Sequence, residues 1–255
     1  MKNAPIKIIC FIIIVPILIL FLYSIFINYN YDDILPKVVS FKNYRTIFNI
    51  TYLKLLFSSI LMSLIVAVLS VAISYLFVRA IVVYNLNNLK IFRLFSMIPL
   101  LVPAYSYIMG LSMALNIFNL NNTYVGVIIS HIIVTLPYNI FSIFNSYQII
   151  GTDYEMLAKS YNASEKDLIL DISLPMIKKT IFTTIAISFV ISFSQYFLTL
   201  VVGGGMVKTY ATYVFPLIQG NNRSLTASFS FIFCLINILI YTILINLNNK
   251  KSDVL

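Results

Sequence analysis

Six stretches of this chain, 8–27, 55–78, 94–115, 124–144, 181–202 and 225–247, run without a single Asp, Glu, Lys or Arg. Crossing a hydrocarbon core of about 30 Å takes roughly 20 helical residues, so each is long enough to span a bilayer. Lipid offers backbone N–H and C=O groups no water, and only helices or closed barrels satisfy them internally. None of the six stretches shows the dyad alternation of a barrel strand. The expected fold is therefore an all-α membrane protein with six transmembrane helices. Composition agrees, because 10% charged residues in a chain of 255 is far below the roughly 25% that covers a soluble domain. The first stretch exceeds the 7–15 apolar residues typical of a signal peptide and lacks a small-residue cleavage site, so it is read as a retained span.

Of the 17 Lys and Arg residues, eleven fall on the side that holds the N-terminus, among them Arg79, Lys159, Lys166, Lys178 and Lys179, and six on the other. The positive-inside rule places that side, with both termini, in the cytoplasm. Positive charge flanking spans also accounts for the net +9 without nucleic-acid binding, for which no basic run on a polar module is present. Residues 1–255 are read as one transmembrane domain, with 148–179 as its longest cytoplasmic loop. That loop holds Asp153, Glu155, Glu165, Asp167 and Asp171, five of the eight acidic residues. A long charged loop on a greasy protein is a candidate docking surface.

Within the loop, Thr152-Asp153-Tyr154-Glu155 has the T-x-x-E form of a capping box and predicts a helix start. Tyr154, Leu157, Ala158 and Tyr161 recur at i, i+3, i+4 and i+7, giving one apolar face, with Glu155, Lys159 and Ser160 pointing elsewhere. Asn162 tolerates the left-handed conformation that ends a helix, and Ser164 with Asp167 predicts the next cap. Pro175 marks the end of this second helix or a bend. A two-turn helix is unstable alone in water. Its apolar face therefore packs either on the chain's own spans or on a partner.

The stretch from Tyr154 to Ser164, followed by Ile172-Ser173-Leu174-Pro175, resembles the EAA loop of permease subunits of binding-protein-dependent ATP-binding-cassette importers. Met156 and Leu157 stand where that family has glutamate and alanine, and Asn162 replaces its glycine. Ser40 to Tyr44, His131 with Leu136-Pro137-Tyr138, and Ser192 to Tyr196 leading to Gly203-Gly204-Gly205 are similar to the family in order and spacing. The resemblance implies a type I importer permease fold with a cytoplasmic coupling helix between the fourth and fifth spans. It implies bacterial inner-membrane placement and three kinds of partner: a cytoplasmic ATPase dimer, a second permease of the same or a sister chain, and an extracytoplasmic solute-binding protein. Tyr154, Glu155, Leu157, Ala158, Tyr161, Asn162, Ala163, Ser164 and Pro175 would then carry ATPase coupling. The 192–205 region looks most like permeases for polyamines, thiamine or ferric iron.

Polar side chains form stripes at helical spacing: His131, Thr135, Asn139, Ser142 and Ser146 in the fourth span, and Thr184, Ser188, Ser192, Gln195 and Thr199 in the fifth. The third span carries Ser96, Pro99, Pro103, Ser106 and Gly110. These stripes either line a solute path or glue helices together. His131, the one ionisable group well inside a span, is a path candidate or a residue satisfied by a neighbouring helix. With no acidic residue in any span, the usual proton or sodium relay of a secondary carrier is missing. An ion-coupled carrier or channel is the alternative reading. Gly203 to Thr209 lacks the glycine before lysine that a phosphate-binding loop requires, so no ATP binding is expected on this chain. There is no catalytic motif and no metal-ligand spacing, and Cys10 and Cys234 sit in apolar stretches. No cofactor and no enzymatic activity are expected.

Overall fold

The computed structural model describes residues 4–27, 38–84, 101–220 and 222–249. The elements are α1 (Ala4–Ser24), β1 (Phe26–Ile27), β2 (Val38–Val39), α2 (Lys42–Ile47), α3 (Ile50–Val83), α4 (Ala104–Ile117), α5 (Tyr124–Ile150), α6 (Asp153–Ser160), α7 (Glu165–Asp167), a π-helical stretch (Leu168–Ser173), α8 (Leu174–Met176), α9 (Lys178–Phe193), α10 (Phe197–Gly203), α11 (Tyr210–Leu217) and α12 (Arg223–Asn249). Among the described residues, three helices are long and apolar enough to cross a membrane: Ile50–Val83, Tyr124–Ile150 and Arg223–Leu247. A fourth crossing results if Glu165–Met176 and Lys178–Phe193, bent by 76°, count as one span. Residues 94–100 of the third expected stretch, with Ser96 and Pro99, lie outside the described residues.

Two compact units make up the chain, one from 1–59 with 208–238 and the other from 60–207 with 239–255. In the first, β1 and β2 form an antiparallel pair with Phe26 opposite Val39. The Ser40 to Tyr44 segment is tied down beside it. Asn43 donates to the Phe26 carbonyl at 3.3 Å, and the Tyr44 hydroxyl lies 2.5 Å from that of Ser24. Tyr210 is fully buried, stacks on Phe233 and donates to the Phe229 carbonyl at 3.1 Å, so its hydroxyl is satisfied inside an aromatic cluster.

The second unit has two apolar clusters. Val71, Tyr75, Val78, Ile143, Tyr147 and Ile177 join α3, α5 and the start of α9. Met62, Ile108, Leu115, Val127, Leu198, Val202 and Val207 join α3, α4, α5 and α10. Thr123 caps α5 by accepting from the Gly126 amide at 3.0 Å. A Cβ on Gly126 would run into the Leu120 carbonyl, which is backbone and cannot swing away. Gly126→Ala is therefore expected to cost about 1–3 kcal/mol, the usual penalty of overpacking, read as a lower unfolding temperature in detergent.

The fifth span departs from the uninterrupted helix expected over 181–202. It stops at Phe193 and restarts at Phe197. Local bonds absorb the break, because the Ser194 amide returns to Val190 and the Gln195 amide to Ser192, each at 3.2 Å. Such interruptions persist in a membrane only where neighbouring groups re-satisfy the backbone. Gly204, left-handed at φ 52°, caps the second half.

Candidate functional site

The loop after α5 begins at Gly151, whose φ of 77° lets the chain leave the helix. The capping box expected at Thr152 and Glu155 is not formed. Thr152 makes no side-chain cap bond, and Glu155 is only 3% exposed. Its carboxylate turns inward to Arg79, which donates from Nε at 3.0 Å and sits 2.9 Å away through Nη2. Ser173 and Tyr147 also donate hydroxyl protons to it. A buried guanidinium binds a carboxylate more strongly than a helix-end amide does, so the ion pair wins.

Arg79 reaches onward to Glu165 at 3.0 Å, and Glu165 accepts from the Tyr84 hydroxyl at 2.9 Å. Hydrogen bonds from Tyr84 and Arg79 hold the Glu165 carboxyl below its ordinary range. Lys159 closes the cluster, 3.8 Å from Glu165 and over the Tyr84 ring. One arginine at the end of α3 thus grips both α6 and α7. Sequence reasoning gave Arg79 only a topological role, because nothing local to it names a partner 76 residues away.

With Glu155 as the buried side of α6, the apolar side faces out. Among the described residues nothing covers Tyr154 (64% exposed), Leu157 (59%) or Tyr161 (80%). Ala158 and Ala163 are half-buried, and Asn162 is left-handed at φ 59°. Ser164 and Asp167 form the expected capping box. Pro175 is exposed two residues before the bend at Ile177.

The polar stripes meet face to face. His131 on α5 bonds Ser192 on α9 through Nδ1 and Thr199 on α10 through Nε2, each at 2.9 Å. Asn139 accepts from Ser188 at 2.6 Å and donates to Ser70 on α3 at 2.9 Å. Ser142 pairs with Thr184 and Ser146 with Thr180, each at 2.9 Å. Thr135 returns its proton to the backbone carbonyls of His131 and Ile132. His131, Thr135, Asn139, Ser188, Ser192 and Thr199 are buried, and in this conformation all of them but Thr135 bond across to another helix. Gln195, in the break, is instead half-buried in the wall of a cavity of about 360 Å³, with Tyr107, Ile108, Val134 and Tyr138. A second cavity of about 390 Å³, nearly all apolar, reaches Asn139, Ser142 and Thr184.

Residues 89–252, more than half of the chain, match the model of the family described as binding-protein-dependent transport system inner membrane component. The chain belongs to that family. One relative is an Escherichia coli K12 protein named inner membrane ABC transporter permease protein YnjC, 21% identical over 136 residues. The match covers 53% of this chain and 27% of that one, so the chain spans about a quarter of the relative's length. Among solved structures, the fold is similar to a chain of a bacterial ABC transporter involved in import of the acidic polysaccharide alginate. The TM-score is 0.69 with 15% identity, over 95% of this chain and 93% of that one. Family membership and the long apolar helices make this an inner-membrane protein that crosses the bilayer more than once.

Proposed function

We propose that this chain is the permease subunit of an ATP-dependent solute importer and that α6 is its coupling helix. The observation carrying this reading is the outward apolar face of Tyr154, Leu157 and Tyr161 on a helix held from behind by the Arg79–Glu155 ion pair. A short helix fixed on its polar side and bare on its apolar side is suited to enter a groove on another protein. Ala158, Asn162, Ala163 and Ser164 complete that contact, while Glu155 anchors it.

In this reading six spans cross the membrane with both termini in the cytoplasm, and 148–179 is the cytoplasmic loop. The chain pairs with itself or a sister permease, two cytoplasmic ATPases grip the coupling helices, and an extracytoplasmic binding protein delivers the solute. Closure of the ATPases moves the coupling helices and rocks the bundle between inward and outward openings. The solute class follows the resemblance of residues 192–205 to polyamine, thiamine and ferric-iron permeases.

Co-expression with ATPase and binding-protein genes adjoining this one should yield a complex that co-purifies, hydrolyses ATP and takes up the solute held by that binding protein. Uptake by the purified chain alone, driven by an ion gradient, would overturn the reading.

A further inference from the structure

We propose that His131 fastens together the two halves of the interrupted fifth-span helix and thereby fixes Gln195 in the wall of the 360 Å³ cavity. His131 is thus a positioning residue of the solute path. The path itself rests on the permease reading above.

The geometry favours the broken helix over a straight one. Ser192 and Thr199 are seven residues apart, which in a continuous helix separates them by about 10.5 Å along the axis. Two 2.9 Å bonds and the width of one imidazole ring reach about 8 Å. The interruption at 194–196 lets both hydroxyls meet one ring. Straightening α9 into α10 would pull one of them away, so the His131 contacts act as a lock on the interrupted form.

Proton placement follows from the same contacts. The Thr199 hydroxyl donates to the Gln195 carbonyl at 2.5 Å, which leaves its oxygen only an acceptor toward the ring. Nε2 therefore carries the hydrogen, and Nδ1 accepts from Ser192. Every polar atom of the buried ring is satisfied, and the chain of bonds from His131 through Thr199 ends on the backbone of Gln195. Gln195 itself lines the cavity.

The chain has one histidine, so ¹⁵N-histidine labelling of the full-length protein in lipid reports a single imidazole. The expected signature is the Nε2–H tautomer, and the Nδ1–H tautomer would overturn the proposal. A second readout uses Gln195→Cys in a background with Cys10 and Cys234 replaced by serine, probed with 2-aminoethyl methanethiosulfonate. Thr199→Val removes the hydroxyl and keeps the side-chain shape. It should slow labelling at 195 about tenfold, while Thr199→Ser stays within about twofold of the parent. His131→Leu should match Thr199→Val. If it fails to fold, the threonine pair decides. Equal labelling in Thr199→Val and the parent would overturn the fastening. Neither readout needs ATP or solute, so failure of the permease reading shows separately, as absence of ATP-driven uptake.

Discussion

Glu155→Ala is expected to lower the unfolding temperature in detergent by roughly 10 °C, corresponding to about 3 kcal/mol. Arg79 and Glu155 are 5% and 3% exposed. Removing the carboxylate leaves a buried guanidinium with Glu165 as its one acidic partner among the described residues, and leaves the hydroxyls of Ser173 and Tyr147 without their charged acceptor. Breaking one side of a buried pair costs about 3–5 kcal/mol, and the surviving Glu165 contact argues for the lower end. Replacing both Arg79 and Glu155 by methionine removes the charges together and should recover much of the loss. Differential scanning fluorimetry on the three proteins checks this. A Glu155→Ala shift of only a degree or two would mean that the pair does not hold α6.

The second large effect is on function with the fold intact. Leu157→Asp and Ala158→Arg place charge on the outward face of α6. Leu157 is exposed, so Leu157→Asp should alter stability by no more than about 0.5 kcal/mol. If the face enters an ATPase groove, loss of a central apolar contact costs 2 kcal/mol or more, about thirtyfold in affinity. ATP-driven uptake and ATPase co-purification should both fall at least tenfold while the unfolding temperature holds. Full uptake with normal ATPase recruitment in both variants would remove α6 from the coupling role.

Together these variants separate the two sides of one short helix. Its polar side bears on stability and its apolar side on partner binding, the reverse of what a helix packed on its own bundle would show.

Legibility in the sequence varied with the range of the interaction. The turn at Asn162 and the Ser164–Asp167 cap depend on residues within three or four positions, and both were readable. The T-x-x-E pattern at Thr152 was equally local but misleading, because Arg79 outbids the helix end for the Glu155 carboxylate. Stripe spacing told which polar residues share a face. Whether that face meets water or another helix depended on what lay opposite, and the periodicity of α5 carries nothing about α9.

By itself the sequence determined a helical, lipid-facing chain with one long charged loop, because uncharged runs of this length have no other way to satisfy their backbone in a bilayer. The tertiary structure alone decided that Glu155 is an anchor, that no described residue covers the apolar face of α6, and that His131 reaches across a broken helix. Those three outcomes turn on which distant groups compete for the same carboxylate, surface or ring nitrogen, and such competition is settled only when the helices pack.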